Sequence, residues 1–284
     1  MKPGLNFEFV RHADRSFEDA ARKARDLGYR YVEPCLIQGH CTLSEAGYCH
    51  WQSMDSRDPR RMKDFLDNLG LAVSGVSAHA QLLQGWSVEH LHKALRFAAL
   101  LGAPIVNTAE GKRPAWLNPT DAFTLLEIHL RAVLQVAEEV GIYIGFEPHG
   151  EFSTRPEQVL ELLERIDSPW LAINFDPGNA FLAGQGPAAY LRQTVRYVRH
   201  VHAKDISRDQ AGVRGTVTGT PVGTAVGEGE IGFDRILEIL HQNQYTGVLS
   251  VECATEEQAA QSLAYLNRAI ARLESNRGEP THVP

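Results

Sequence analysis

The sequence predicts a single α/β domain, a closed (β/α)8 barrel, and three observations support this prediction. Strand-like and helix-like segments alternate along the chain, so successive strands run parallel and are joined by right-handed crossovers. Eight such pairs occur in 284 residues, a length typical of one closed barrel. An open doubly wound sheet is disfavoured because no G-x-G-x-x-G turn follows the first strand-like segment and no composition shift marks a second domain.

The first half of the chain contains four strand-like segments, at 4–10, 29–34, 71–79 and 103–108. Each precedes a helical pattern, and these patterns cover 17–28, 58–70, 87–102 and 120–141. Apolar residues recur in these patterns at intervals of three and four, as expected for helices with one buried face. Every one of the four ends in glycine, which favours the left-handed conformation of a helix C-cap. These glycines are Gly28, Gly70, Gly102 and Gly141.

The second half repeats the alternation, with strand-like segments at 142–148, 170–178, 197–205 and 247–253. The helical patterns that follow them cover 155–166, 187–195, 233–244 and 256–275. Residues 212–232 are too rich in glycine for regular structure, and we expect a loop over one face of the barrel. The predicted catalytic domain therefore spans residues 1–275, and residues 276–284 are expected to form a disordered tail.

Composition excludes several classes of protein. The net charge of -7 and the pI near 5.9 argue against binding to the phosphate backbone of nucleic acids, which requires a basic surface. A membrane span needs about 18 uninterrupted apolar residues, and the most apolar stretch is broken by Gly102 and Pro104. The N-terminal residues lack the apolar core of a signal peptide. We therefore expect a cytoplasmic protein that binds neither nucleic acid nor membrane, and a homo-oligomer is compatible with the sequence.

The four cysteines are Cys35, Cys41, Cys49 and Cys253. The first three lie close in sequence to His40 and His50, a combination that would suggest a zinc site. Their spacing matches no common C-x-x-C pattern, so reduced thiols are the favoured interpretation.

Four consecutive predicted strands end in residue types that bind metal ions: Glu147, Asp176, His202 and Glu252. In a parallel barrel the carboxyl ends of all strands meet at one rim, so these side chains are expected to converge. A single such residue would be a helix cap or a surface charge, but three clustered carboxylates repel one another unless a cation neutralises them. Three oxygen donors and one nitrogen predict one divalent ion, Mn²⁺ first, with Mg²⁺, Co²⁺ and Zn²⁺ as alternatives.

Further polar residues lie at the same predicted rim. His79 ends the third strand, His149 follows Glu147 by two residues, and Lys204 follows His202 by two. These three side chains are candidates for binding substrate hydroxyl or acid groups, and a supporting role around the metal is an equally good interpretation. Glu33 and Glu110 are weaker candidates of the same kind.

Five motifs resemble those of a known family: "FEPHG", "NFDPGN", "HVHAKD", "GEGEIGFDRILEIL" and "YTGVLSVEC". The chain resembles the xylose-isomerase-like TIM-barrel superfamily, which contains sugar isomerases and epimerases, inosose dehydratases and a zinc-dependent DNA-repair endonuclease. The resemblance implies a metal held by Glu147, Asp176, His202 and Glu252. It also implies that Glu147 and Glu252 form the catalytic acid/base pair, as in the keto-sugar epimerases of the family.

Two positions depart from the family pattern. Many members carry a histidine three residues after the aspartate, and this chain has Asn179, which we expect to contact substrate. The repair endonuclease also uses a histidine at the end of the fourth strand, where this chain has Asn107. Both departures remove ligands from a trinuclear zinc site, so the resemblance favours a single metal.

The sequence therefore predicts a metal-dependent sugar isomerase or epimerase that acts on a ketose or keto-sugar derivative by proton transfer through an enediolate intermediate. The alternative is a lyase or dehydratase acting on a keto-inositol or 3-keto-glycoside. A DNA-repair enzyme resembling an AP endonuclease is disfavoured by the acidic pI, and a barrel that binds ligand without chemistry is a further alternative. The expected partner is a small sugar, and the lack of an evident basic cluster disfavours a phosphorylated one.

Overall fold

The computed structural model describes residues 1–11, 15–38, 51–216 and 223–275. The predicted tail at 276–284 lies outside these ranges, as do His40, Cys41, Cys49 and His50 of the zinc site considered above. Of the cysteines within the ranges, Cys35 and Cys253 are buried free thiols.

The strands of the described residues form one sheet in which every pair of neighbouring strands is parallel. They are β1 Lys2–Asn6, β2 Tyr31–Glu33, β3 Cys35–Ile37, β4 Trp51–Ser53, β5 Ala72–Val73, β6 Val76–Gln81, β7 Ile105–Ala109, β8 Tyr143–Phe146, β9 Leu171–Phe175, β10 Val198–Ala203 and β11 Val248–Val251.

The sheet closes into the predicted eight-stranded barrel. Two of the eight strand positions are interrupted, so each of these two contains a pair of short strands. Strands β2 and β3 are separated only by Pro34, which has no N–H to donate to a neighbouring strand. Strands β5 and β6 are separated by Ser74 and Gly75. Strand β2 pairs with β1 and β5, β3 pairs with β6, and β11 pairs with β1, so the ring is complete. Glu33 was predicted to end the second strand, but the strand continues after Pro34 and β4 pairs with that continuation.

The helices confirm the predicted alternation. They are α1 Phe17–Leu27, α2 Pro59–Asn68, α3 Trp86–Leu101, α4 Pro119–Val140, α5 Pro156–Ile166, α6 Pro177–Leu182, α7 Pro187–Thr194, α8 Arg208–Ala211, α9 Phe233–Gln242 and α10 Glu256–Ser275, with short 3-10 helices at Phe7–Val10 and Val195–Tyr197. Gly28, Gly102 and Gly141 are left-handed C-caps, as predicted. At the end of α2 the cap is Leu69, and Gly70 follows it with a φ of 69°. Every helix in the described ranges is too short or too polar to cross a membrane.

The inside of the barrel is polar at the level below its rim. Asn107 and Asn174, on β7 and β9, are fully buried, and each has a side-chain atom within hydrogen-bonding distance of His200 Nδ1. Buried apolar residues on the same strands, such as Val106 and Ile173, belong to the hydrophobic core. Polar side chains on strands are expected only where they find partners, so this layer marks the interior as a site.

A single carboxylate, that of Asp205, binds the backbone of residues 223–232, the second of the two described parts of the glycine-rich segment. Asp205, which follows β10, accepts backbone hydrogen bonds from Gly227 and Gly229 through Oδ2 and from Ile206 and Ile231 through Oδ1. The segment makes an isolated bridge between Thr224 and Asp205 and otherwise turns. Asp205 therefore links the end of β10 to the loop that precedes α9.

Replacing Asp205 by alanine is expected to lower the free energy of unfolding by about 2 kcal/mol, because several backbone N–H groups lose their charged acceptor. Urea denaturation followed by far-UV circular dichroism measures this change. Asp209→Ala, at an exposed position of α8, is the matched control and is expected to change stability by less than about 0.5 kcal/mol. Equal stability of the two variants would contradict this role of Asp205.

Candidate active site

The four predicted metal-binding residues lie at one rim of the barrel. Glu147, Asp176 and Glu252 each follow directly on a strand, β8, β9 and β11 respectively, and His202 is the fifth residue of β10. All four are buried. The convergence follows from the parallel topology, which delivers the carboxyl ends of neighbouring strands to the same place.

His202 lies at the centre of this group. Its Nδ1 atom is 3.0 Å from Oε2 of Glu147 and 3.2 Å from Oε2 of Glu252. Glu147, Asp176 and His202 each offer one ligand atom, and these three atoms lie within 4.8 Å of one another. The structure thus brings all four side chains into one cluster.

One carboxylate oxygen of Asp176 accepts a hydrogen bond, and the other accepts none within the described residues. It is the N-cap of α6, and its Oδ1 accepts a hydrogen bond of 2.9 Å from the backbone N–H of Asn179. Its Oδ2 is buried without a hydrogen-bond partner in the described chain and lies 3.8 Å from Nζ of Lys204. A buried carboxylate oxygen without a partner is costly, so this atom is available for a cation.

Lys204 and His202 keep two of the three carboxylates, Glu252 and Glu147, ionised, whereas burial outweighs Lys204 at Asp176 and raises the pKa of Asp176 well above its usual value. Burial alone would raise the pKa of Glu252, but Lys204, whose Nζ lies 2.8 Å from Oε1, holds that pKa well below its usual range. Burial also opposes ionisation of Glu147, and the charged ring of His202 outweighs it and lowers the pKa of Glu147 to about 2. For His202, burial is outweighed by Glu33 and Glu147, which raise its pKa well above the usual value.

Lys204 reaches this position because its neighbour is glycine. A Cβ atom at Gly178, in α6, would lie 2.8 Å from Cγ of Lys204 and 2.9 Å from its carbonyl oxygen. Only a residue without a side chain permits this approach. The "DPG" sequence therefore supplies both the candidate metal ligand Asp176 and the space for the lysine.

Two asparagines hold Glu147 in place. Nδ2 of Asn174 donates to Oε2 of Glu147 over 2.7 Å, and Nδ2 of Asn179 donates to Oε1 over 2.8 Å. Asn179 is 1% exposed, and its amide group is hydrogen-bonded to the carboxylate of Glu147. Its predicted contact with substrate stays a prediction.

His79 and His149 lie side by side at the entrance to the cluster. Their ring centroids are 5.7 Å apart, and Nε2 of His79 is 3.7 Å from Oε2 of Glu147. Both line a cavity of about 920 Å³. This volume is within the range of small-molecule sites, and the two rings connect it to the carboxylates.

Glu33, predicted as a weak candidate, contacts the centre directly. Its Oε1 and Oε2 atoms lie 3.0 and 3.1 Å from Nε2 of His202, and Oε1 also accepts from Asn107 and Ser77. With His200 and His202 it forms a second group whose potential ligand atoms lie within 4.8 Å of one another. Because Glu33 already accepts several hydrogen bonds, we interpret it as the residue that orients His202.

Glu8 belongs to the site and was not among the residues predicted from the sequence. It lies in the 3-10 helix after β1, and Arg11 contacts its Oε2 over 3.1 Å. Burial, together with the neighbouring Glu252, raises the pKa of Glu8 to about 7. The sequence placed Glu8 inside a predicted strand at 4–10, whereas in the structure β1 ends at Asn6 and Glu8 lies just beyond it.

Glu110, the other weak candidate, binds backbone N–H groups of a neighbouring loop. Its two carboxylate oxygens accept from the backbone N–H groups of Phe152 and Ser153 over 2.6 and 2.7 Å. Gly150 lies so close that a Cβ atom there would overlap the carboxyl group of Glu110. Burial raises the pKa of Glu110 to about 7. Glu110 therefore fastens the loop after Glu147 to the end of β7.

The chemistry of the donor set fits a divalent cation. Glu147, Asp176 and Glu252 are three buried carboxylates that share two cationic neighbours, Lys204 and the ring of His202. His202 is in addition shared with Glu33. Oδ2 of Asp176 has no hydrogen-bond partner among the described residues. Carboxylate donors with this surplus of negative charge, joined by the His202 imidazole once it releases its proton to the solvent, suit Mn²⁺, Mg²⁺, Co²⁺ or Zn²⁺.

Comparison with known proteins identifies the family. A family model described as "Xylose isomerase-like TIM barrel" matches residues 21–269. An inosose dehydratase of Clostridium perfringens is 26% identical over 220 residues, which cover 73% of this chain and 66% of that protein. A 3-oxo-isoapionate decarboxylase of Pectobacterium atrosepticum is 29% identical over 161 residues, covering 57% of this chain and 56% of that protein. The match thus spans roughly half to two thirds of these relatives' length.

Among solved structures, a D-tagatose 3-epimerase-like protein superposes with a TM-score of 0.79 at 23% sequence identity. The superposition covers 98% of this chain and 100% of that protein. At this level of identity the likeness establishes the fold, and the predicted α/β barrel is confirmed. The family model, which matches residues 21–269, shows that the chain belongs to the xylose isomerase-like TIM barrel family.

Proposed function

We propose that this protein is a divalent-metal-dependent sugar isomerase or epimerase that acts on a ketose or keto-sugar derivative. The observation that carries the proposal is the meeting of Glu147, Asp176, His202 and Glu252 in one buried cluster beside a cavity. Relatives that are named as sugar epimerases and dehydratases support the same general chemistry.

Glu147 and Glu252 are the proposed acid/base pair. Their Oε2 atoms both contact Nδ1 of His202, and the two residues come from β8 and β11, with β9 and β10 between them at the rim. One carboxylate removes a proton from the carbon next to the substrate carbonyl, giving an enediolate. The other carboxyl group takes up a proton from solvent and delivers it to the opposite face of the enediolate, which inverts that carbon, and the first releases its proton to solvent. Return of the proton to the neighbouring carbon by the first carboxylate would interconvert ketose and aldose.

The proposed metal is held by Glu147, Asp176, His202 and Glu252, with Mn²⁺ as the first candidate, and when bound it stabilises negative charge on the carbonyl oxygen as a Lewis acid. Lys204 keeps Glu252 ionised and Asn174 fixes the direction of Glu147. His79, His149 and Lys204 are the proposed donors to substrate oxygens. The cytoplasmic location stays a prediction.

A dehydratase is the second candidate. The similarity to inosose dehydratases favours it, and the same enediolate expels a hydroxyl group from the next carbon when an acid protonates that group. The two candidates share the proton abstraction and differ in the fate of the enediolate. A keto-inositol or 3-keto-glycoside would be the corresponding substrate.

Incubation in D₂O with Mn²⁺ tests the proposal. D-fructose, D-allulose and a keto-inositol serve as probes, and proton NMR follows deuterium at the carbon next to the carbonyl. We expect deuterium in a recovered sugar or its epimer, loss of this exchange after EDTA treatment, and recovery on adding Mn²⁺. Loss of water from the keto-inositol would select the dehydratase. Neither exchange nor elimination with any of the three probes would contradict the proposed function.

A further inference from the structure

The cavity beside the proposed active site has a cationic wall in addition to the two histidines. We define this wall by Lys112, Arg113 and Arg155, which line the cavity together with His79 and His149. Glu151 is the acidic residue among the described residues that line it. The wall combines two loops that are distant in sequence, the one after β7 and the one after β8.

The carboxylate of Glu151 is neutralised by Arg113, a residue of the cationic wall. Arg113 contacts both carboxylate oxygens of Glu151, with Nε 2.6 Å from Oε2 and Nη2 3.4 Å from Oε1, and its Nη1 donates to the carbonyl of Leu117. Arg113 and Glu151 therefore satisfy each other. They also join the two loops, which places Lys112 and Arg155 at the same cavity.

Lys112 and Arg155 remain as cations in excess. Both are exposed, and neither side chain has a hydrogen-bond or ion-pair partner within the described ranges. The whole chain carries a net charge of -7, so its general field repels anions. Two unpaired cations on a cavity wall of an acidic protein are a local feature that composition does not explain.

The loops that carry these residues are held firmly at their base. Glu110 accepts the backbone N–H groups of Phe152 and Ser153, in the same loop as Arg155. Arg155 is also the N-cap of α5, which adds the positive end of an 11-residue helix to this side of the cavity. The wall therefore has a fixed backbone and two free cationic side chains.

We propose that the cationic wall binds an anionic oxygen group of the substrate, a carboxylate or a phosphate, while the carbonyl end lies past His79 and His149, at Glu147 and Glu252. This inference rests on the proposed function and names the class of its substrate as a keto-sugar acid or keto-sugar phosphate. Arginine and lysine are the side chains that bind such groups by charge-assisted hydrogen bonds. The sequence by itself disfavours phosphate for lack of a basic cluster, because Lys112 and Arg155 meet only in the folded chain.

Binding measured by isothermal titration calorimetry on the Mn²⁺-loaded protein tests the inference without requiring turnover. The probes are D-fructose, D-fructose 6-phosphate and 5-keto-D-gluconate: a neutral ketose, a phosphate and a carboxylate. The variants are Lys112→Met, Arg155→Met and the double variant, since methionine retains an apolar stem. Arg61→Met, an exposed arginine of α2 outside the cavity lining, is the matched control.

We expect at least one anionic probe to bind about tenfold more tightly than D-fructose, the factor expected from one charge-assisted hydrogen bond. The double variant should remove this advantage and change the affinity for D-fructose less than about twofold, while Arg61→Met leaves both unchanged. The anion with the larger loss identifies carboxylate or phosphate. The inference is overturned if neither anion binds more tightly than D-fructose, or if the advantage survives in the double variant, which would locate the anion at the metal.

Failure of the proposed function is a separate result. Absence of deuterium exchange with a preserved anion preference would reject the isomerase and keep the anion-binding wall. Exchange with D-fructose and no preference for either anion would keep the isomerase and reject the wall.

Discussion

Glu147→Gln and Glu252→Gln are each expected to reduce kcat by about 10²–10⁴-fold, the contribution of a positioned acid or base. Glutamine preserves the shape of the side chain but cannot accept a proton from carbon at neutral pH. If each carboxylate serves one face of the substrate, each variant loses epimerisation and retains deuterium exchange with only one epimer. Steady-state kinetics and NMR exchange, begun separately from each epimer, measure both effects.

Both glutamates are also proposed metal ligands, so the assay needs saturating Mn²⁺ and a measurement of bound metal in each variant. Glu161→Gln, an exposed position of α5, is the matched control and should retain full activity. Equal melting temperatures of the variants without metal would show that the fold is intact. A double variant Glu147→Gln with Glu252→Gln that turns over substrate within tenfold of the unmodified protein would remove the proposed mechanism.

Glu33→Gln is expected to weaken Mn²⁺ binding by about 10–100-fold, the effect typical of losing an outer partner of a metal-binding histidine. The carboxylate of Glu33 contacts Nε2 of His202 through both oxygens, so it sets the orientation in which Nδ1 faces Glu147 and Glu252. Glutamine replaces one acceptor by a donor, and it carries no charge to favour the bound orientation. Titration with Mn²⁺, followed by electron paramagnetic resonance of the free ion, gives the dissociation constant.

Ser77→Ala is the matched control for Glu33→Gln. Ser77 donates to Oε1 of Glu33 over 3.1 Å, and its removal disturbs the same carboxylate while leaving both contacts with His202. The control should bind Mn²⁺ within about threefold of the unmodified protein. A dissociation constant for Glu33→Gln that matches that of Ser77→Ala would show that Glu33 does not position His202.

The cluster of Glu147, Asp176, His202 and Glu252 was predictable because its signal is local. Each residue lies at or near the carboxyl end of a short apolar strand, and the alternation with helices makes those strands parallel. In a closed parallel barrel the carboxyl ends of all strands lie at the same rim. The residue types and their positions along the chain were therefore enough to predict that they converge.

Glu33 was underestimated for a reason that is also physical. It is 169 residues from His202 in the chain, so no local spacing connects the two. The structure continues the strand as β3 and places Glu33 inside the barrel, against Asn107, Ser77 and His202. Glu8, which adjoins Glu252, has no pattern of its own that distinguishes it from a surface acid.

The sequence by itself determined the barrel, its strand directions and the four acidic and imidazole side chains at its rim, because hydrophobic period and chain order encode them locally. Only the tertiary structure decided which groups surround these residues. Glu33 contacts His202, and Lys204 packs against Gly178. Cationic side chains from two loops line the neighbouring cavity. Those contacts depend on closure of the barrel and on loop packing, which bring together residues whose spacing along the chain carries no regular signal.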